Sequence, residues 1–226
     1  MFLKNATKYL KNKRACDNGE IPECNNKCRL CVANIEDISH IIAGCSHMSA
    51  RYYLPLRHDE VAKTLLNTHL KKYHPSNEIK LSTEPEYIYK KDHQEYWWNV
   101  SIKTATKVPH NKPDLIIWNR KSKICSIIEF SCPLDININK KTNEKLENYG
   151  PLVRNLQIMY PDYKFQVAPI VVGAMGYVSK TLTNYLKMIG FNEKESKALI
   201  PKLQIKSIIG TVKICKTFLN FNDPFK

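Results

Sequence analysis

Two carboxylates, Asp114 and Glu129, have the residue type and the spacing that could bind a catalytic metal ion. They are equally distant from the midpoint of a segment with the pattern of a β-hairpin. If its strands pair symmetrically, the two acids face each other, with Cβ atoms about 4.5–5.5 Å apart. Like charges at this distance are destabilising, and a divalent cation between their oxygens would relieve the repulsion. The pair therefore predicts a Mg²⁺ or Mn²⁺ site.

The elements that must position these acids are two short apolar strands, predicted over residues 114–118 and 124–130. Both runs are rich in β-branched residues, and the polar residues 119–123 between them predict a turn. Side chains alternate between the two faces of a strand. Asp114 therefore shares a face with Ile116 and Trp118, and Glu129 shares a face with Cys125 and Ile127. Both acids can point into one cleft.

The rest of the chain predicts a mixed α/β core that follows a cysteine-rich head, residues 1–50. A helix is expected over 51–74 and a linker over 75–92, so that a second domain covers 93–226. In this domain we expect an aromatic segment at 95–102, a helix from about Thr142, a strand at 165–172 and helices at about 178–189 and 203–219. Gly150-Pro151 should kink or divide the first of these helices, because proline lacks the amide hydrogen that a helix interior uses.

Four residues in the head, Cys28, Cys31, His40 and Cys45, have the types and spacing of a tetrahedral zinc knuckle. Two cysteines three positions apart can bind a metal from one turn, and His40 and Cys45 can supply the other two ligands from a short helix. Cys24 could replace Cys28, and His47 is a further candidate ligand. A structural zinc ion would stabilise a head too small to build its own core.

The charge of the chain indicates a polyanionic partner. Thirty-five Lys and Arg residues against 21 Asp and Glu residues give a net charge of +14, which is typical of proteins that bind nucleic acid. Many of the basic residues surround the carboxylate pair. The candidates for nucleic-acid contacts are Lys112, Arg120, Lys140 and Lys141.

The apolar content excludes a membrane protein, since no stretch approaches the roughly 20 apolar residues of a spanning helix. The basic N-terminus also lacks the apolar core of a signal peptide. We expect a soluble intracellular protein and, given its expected DNA partner, a nuclear one.

Beyond these separate signals, an ordered set of motifs resembles a known family. The set comprises CRLC with the later His and Cys, Arg57-His58-Asp59, HNKPDLIIWN, EFSCPLD, NEKLENY and APIVVGAMG. It resembles the C-terminal restriction-like endonuclease region of early-branching non-LTR retrotransposons, from about Cys24 to Leu219. In that family a CCHC zinc knuckle precedes a PD-(D/E)xK nuclease core, which nicks target DNA to prime reverse transcription.

The resemblance implies a role for three residues. Asp114 and Glu129 would be the metal-binding acids, and the catalytic lysine would have migrated from the strand to a helix, at Lys145, with Lys140 and Lys141 as alternatives. The strand position of the ordinary lysine is occupied by Ser131. The implied function is a metal-dependent DNA endonuclease with target duplex DNA, and element RNA, as partners. The alternative is a catalytically inactive, truncated or domesticated nucleic-acid-binding module, since no polymerase segment precedes the knuckle in this sequence.

Overall fold

The computed structural model describes residues 27–50, 53–75 and 87–220. Its helices are α1 (Ile38–Ala43), α2 (Ser46–Ala50), α3 (Tyr53–Tyr73), α4 (Ile138–Met159), α5 (Leu182–Met188) and α6 (Glu193–Asn220), with a 3₁₀ turn at Asp135–Asn137 before α4. Its strands are β1 (Tyr87–Lys91), β2 (Gln94–Trp98), β3 (Leu115–Asn119), β4 (Ile124–Ser131) and β5 (Lys164–Val171). The predicted mixed α/β class is confirmed.

The five strands form one mixed sheet in the order β1-β2-β3-β4-β5. The first four pair antiparallel, and β5 pairs parallel to β4 after the α4 crossover. In the β3–β4 hairpin Leu115 pairs with Ile128 and Asn119 with Ile124. This is the symmetric register that the sequence predicted, and its continuation places Asp114 beside Glu129.

The sheet is covered on both faces, as the alternation of apolar residues in β3 and β4 requires. One face presents Ile116, Trp118 and Ile127 to the buried side of α4. The opposite face presents Leu115, Ile117, Ile128 and Phe130 to residues of α3, α5 and α6. The predicted helix at 51–74 therefore shares the core of the sheet. On the face toward which Glu129 points, α4 packs together with Ile102 and Val108 of the segment between β2 and β3.

Two expectations about the elements are wrong. The predicted linker at 75–92 ends in a strand, β1, which pairs with β2, while residues 76–86 lie outside the described ranges. Gly150-Pro151 does not divide the helix, because α4 is continuous from Ile138 to Met159. Tyr149, Leu152 and Leu156 anchor the helix on the sheet on both sides of Pro151. This packing offsets the loss of one backbone hydrogen bond.

The cysteine-rich segment packs on the long C-terminal helix. Cys28, Cys45 and Met48 are fully buried in one cluster with Ile214 and Phe218 of α6. Within residues 27–50, 53–75 and 87–220, no helix combines the length and the apolar character needed to cross a membrane.

Candidate active site and cysteine cluster

Asp114 and Glu129 are held side by side by reciprocal hydrogen bonds at the end of the β3–β4 pair. The backbone amide of Asp114 donates to Glu129 Oε1 at 2.9 Å. The backbone amide of Phe130, next to Glu129, donates to Asp114 Oδ2 at 2.8 Å. Each carboxylate is therefore oriented by the backbone of the strand that carries the other.

Lys145 reaches this pair from α4. Its Nζ atom donates to Glu129 Oε2 at 2.7 Å, and the Glu129 side chain is only 3% exposed. One helical turn later, the Tyr149 hydroxyl donates to the Lys112 carbonyl at 3.4 Å. Since α4 crosses the face toward which Glu129 points, a lysine at this position can enter the cleft without any lysine in the strand. The structure thus brings together all three residues that the resemblance implied.

His58, on α3, is a further member of the site that we did not single out from the sequence. Its Nε2 atom lies 3.1 Å from Asp114 Oδ2, and its Nδ1 atom lies 3.0 Å from Asp59 Oδ1. The Arg57-His58-Asp59 motif contributed to the resemblance, but no spacing rule links it to Asp114. His58 lies beside Asp114 only because α3 packs against the β4 side of the sheet.

Hydrogen bonds from Arg57 hold α3 in position beside the carboxylate pair. Its side chain is buried, with Nη2 donating to the Cys132 carbonyl at 2.7 Å and Nη1 to Thr211 Oγ1 at 2.9 Å. The guanidinium therefore joins α3 to the end of β4 and to α6. A Cβ atom on Gly210 would lie 2.5 Å from Arg57 Cγ, so only glycine permits this close approach.

The electrostatics of the two carboxylates are unequal. Burial would raise the pKa of Asp114, but the hydrogen bond and charge of His58, helped by the Phe130 amide and Lys145, lower it. Burial also raises the pKa of Glu129, and the charge of Asp114 adds to this, while Lys145 opposes it only in part. Burial alone would lower the pKa of His58, yet its bonds to Asp114 and Asp59 raise it to about 10. The charge of Lys145 therefore compensates that of ionised Glu129 only in part.

The donor set fits a hard divalent cation. Mg²⁺ is bound in proteins by one or two carboxylates and retains several waters. Asp114 Oδ1 accepts no hydrogen bond from any described residue, so this oxygen is available as a ligand. A cation here would also neutralise the charge that disfavours the ionised form of Glu129.

The four basic residues predicted to contact nucleic acid have different surroundings. Lys112 is two residues before Asp114, while Lys140 and Lys141 lie about one turn before Lys145 on α4. Arg120 is at the opposite end of the hairpin. Its guanidinium lies 4.6 Å from the centre of the Trp118 ring, and its Nε atom donates to Glu95 Oε1 at 2.9 Å. Arg120 is thus engaged within the protein, away from the carboxylate pair.

The four predicted knuckle residues come together in a metal-binding arrangement. One ligand atom from each of Cys28, Cys31, His40 and Cys45 lies within 4.8 Å of the others. The sulfurs of Cys28 and Cys45 are 3.9 Å apart, close to the roughly 3.8 Å expected of two sulfurs on one tetrahedral zinc ion with bonds of about 2.3 Å. The cluster can hold a metal ion. Cys24 lies outside the described residues, and His47 is not one of the four.

The local backbone explains this arrangement. Cys28 accepts a 2.7 Å hydrogen bond from Val32 N and donates one of 2.7 Å to the Asn34 carbonyl, which closes a tight turn around Cys31. Asp37 then caps α1 by accepting from the backbone amide of His40 at 2.7 Å. Burial would raise the pKa of Cys31, but hydrogen bonds from its neighbours lower it to about 6. Metal binding requires the thiolate, which this environment favours at Cys31. At Cys45 burial, with the neighbouring Cys28, raises the pKa to about 11.

Comparison with known proteins does not assign the chain to a family. No family model matches the chain, and no match was found among curated proteins.

Proposed function

We propose that this protein is a metal-dependent DNA endonuclease of retrotransposon origin, with a restriction-like PD-(D/E)xK core. The observation that carries the proposal is the joint position of Asp114, Glu129 and Lys145 at one end of the sheet. Two carboxylates that hold each other's backbone, with a lysine 2.7 Å from one of them, supply the groups that phosphodiester hydrolysis would use. The net charge of +14 suits a DNA partner.

Hydrolysis of a phosphodiester needs an oriented water and positive charge near the phosphoryl oxygens. Asp114 and Glu129 would hold Mg²⁺ or Mn²⁺, which when bound supplies a Lewis acid and lowers the pKa of a bound water. Lys145 would stabilise the negative charge that develops on the phosphoryl group. His58 would orient Asp114 through the 3.1 Å contact and add a positive charge at the same edge.

The cysteine cluster would bind structural zinc as a CCHC knuckle. Its two buried thiols share a core with α6, so zinc would order the head against the nuclease core as well as within itself. The basic residues Lys112, Lys140 and Lys141 would contact the DNA backbone near the site. A DNA substrate of this kind implies a nuclear location.

The proposal is tested by a titration of plasmid nicking with Mg²⁺ and Mn²⁺, comparing wild type with Glu129→Gln. Glutamine retains an oxygen for the Asp114 amide but removes the charge that would bind the cation. The matched control is Glu147→Gln, an exposed acid on α4. We expect wild type and the control to nick and Glu129→Gln to be inactive. Metal-dependent nicking by Glu129→Gln at the wild-type rate would contradict the assignment.

A second function, a catalytically inactive nucleic-acid-binding module, is favoured by one specific observation. Lys145 and His58 already contact one carboxylate each, at 2.7 and 3.1 Å. Two ion pairs of this kind could stabilise the acids without any metal. This function predicts DNA binding that weakens steeply with salt and no cleavage at any metal concentration.

A further inference from the structure

A groove of about 630 Å³ separates the knuckle from the sheet domain. One wall comes from the knuckle and α1 and includes Asn34, Ile35, Ser39 and Gly44. The other wall comes from the end of β4 and the start of α4 and includes Ser131, Pro133, Leu134, Asn137 and Lys141. Pockets of this volume hold drug-sized ligands, and a single nucleotide is a ligand of that size.

The chemistry of the walls suits a nucleobase better than a phosphate. Amide and hydroxyl groups in the walls can form hydrogen bonds with the edges of a base, and the apolar side chains between them can cover its faces. The charges balance, because Asp37 and Lys141 each line the groove. Asp37 is engaged with the His40 amide, and Lys141 Nζ donates to Glu144 at 2.8 Å at the rim. The apolar contribution comes from Ile35, Ala43, Pro133 and Leu134.

The groove and the carboxylate site are built on the same two elements, β4 and α4. Ser131 is two residues beyond Glu129 on β4, and Lys141 is one helical turn before Lys145 on α4. Both offsets correspond to about 6–7 Å along the respective element. A DNA strand with its phosphate at Asp114 and Glu129 would therefore reach the groove with an adjoining nucleotide.

We propose that this groove holds one unpaired base of the DNA strand, next to the phosphate that is cleaved. The proposal rests on the proposed nuclease function for the position of the phosphate. The knuckle would form one side of a base-binding site. The preference of the enzyme for sequence or structure beside the nick would arise there. The base would have to leave its duplex, so the site favours flaps, gaps and mismatches over intact duplex.

The test measures binding of a fluorescent single-stranded DNA oligonucleotide, an RNA oligonucleotide and a duplex of the same sequence, without magnesium. Gly44→Trp fills the groove. Gly44 has φ −131°, and an added Cβ there meets only His40, at 3.6 Å, so the backbone accepts a side chain. Its control is Ile38→Trp, an exposed α1 residue outside the groove. Lys141→Gln is paired with Lys202→Gln, an exposed lysine on α6 outside the groove.

We expect Gly44→Trp to weaken single-strand binding about tenfold and Lys141→Gln about threefold, with the duplex less affected and both controls within a factor of two of wild type. Circular dichroism and zinc content verify folding, and Lys141→Gln changes only a surface side chain. Equal effects of variants and controls, or equal losses on duplex and single strand, would overturn the base-binding site. Preferential binding of RNA would overturn the assignment to DNA.

Plasmid nicking separates this proposal from the nuclease function. Wild-type nicking with unchanged single-strand binding by Gly44→Trp would reject the groove and leave the nuclease standing. Absence of nicking by wild type, with selective loss of single-strand binding by Gly44→Trp, would reject the nuclease and support the groove as a nucleic-acid site.

Discussion

His58 Nε2 lies 3.1 Å from Asp114 Oδ2, although 56 residues separate them in the chain. This contact links α3 to the end of the β3–β4 hairpin, and the 3.0 Å contact between His58 Nδ1 and Asp59 Oδ1 fixes the other side of the ring. With its pKa raised to about 10, His58 is an imidazolium at neutral pH. Both ring nitrogens then donate, and Asp114 is held in one orientation.

Replacing His58 with Gln should therefore reduce nicking about 100-fold, because a small misplacement of a metal-binding group is costly to the rate. Asp59→Asn should have a weaker effect, since it loosens only the outer side of the ring. Single-turnover nicking rates at saturating Mn²⁺ measure both effects. A rate for His58→Gln equal to that of Asp59→Asn would show that the Asp114 contact has no special role.

Replacing Lys145 with Met should reduce nicking by about 10²–10³-fold, the range for loss of one charge-stabilising donor. Arg154→Met, at an exposed position on the same helix, serves as the matched control and should retain most of the activity. DNA affinity at fixed salt, measured in parallel, should change equally little for both variants. An equal loss of nicking in both would mean that α4 contributes only general positive charge.

The buried charge of Glu129 should limit stability in the absence of metal. Its pKa is raised by burial and by Asp114, so ionisation at neutral pH opposes folding. Glu129→Gln should then have a melting temperature equal to or above that of the metal-free wild type. Mn²⁺ should raise the melting temperature of wild type and leave that of Glu129→Gln unchanged. Differential scanning fluorimetry with a Mn²⁺ series measures this, and a shift of both proteins would place the metal elsewhere.

Loss of one knuckle cysteine should release zinc and loosen the head. Cys28→Ser removes a ligand that is fully buried against α6, and we expect bound zinc to fall from one ion per chain to none, with a lower melting temperature. Cys215→Ser, in the same cluster but outside the ligand set, should keep its zinc. Atomic absorption after gel filtration measures the content. Zinc retained by Cys28→Ser would call for a different ligand set.

Acid should destabilise the fold through His69. Burial lowers its pKa to about 4, while both ring nitrogens are bonded, to the Tyr96 hydroxyl at 3.0 Å and the Ile189 carbonyl at 2.9 Å. The unfolded chain binds a proton below about pH 6.5 and the folded chain only near pH 4, so stability is lost as pH falls through this window.

Between pH 7 and pH 5 the loss from His69 should be about 2 kcal/mol. Burial also lowers the pKa of His74, which contributes in the same direction. Urea unfolding at both pH values measures the effect, with His69→Gln as comparison. The variant should be less stable at pH 7 and lose about 2 kcal/mol less on acidification. An identical pH dependence would remove His69 as the cause.

The sequence by itself determined the features that depend on neighbouring residues. The hairpin register that sets Asp114 beside Glu129 follows from apolar alternation around a polar turn, and the turn and short helix of the knuckle follow from ligand spacing over 18 residues, Cys28 to Cys45. Both are local, because side-chain periodicity and turn geometry act over a few residues.

Only the tertiary structure decided which distant residues meet. His58 reaches Asp114, Arg57 binds the end of β4, the knuckle packs on α6, and α4 remains continuous through Pro151. Each of these contacts depends on the burial of apolar faces between elements that are far apart in the chain. The apolar pattern of one segment does not determine which other segment will cover its apolar face. Packing against the sheet also outweighs the local preference of Pro151 to end a helix.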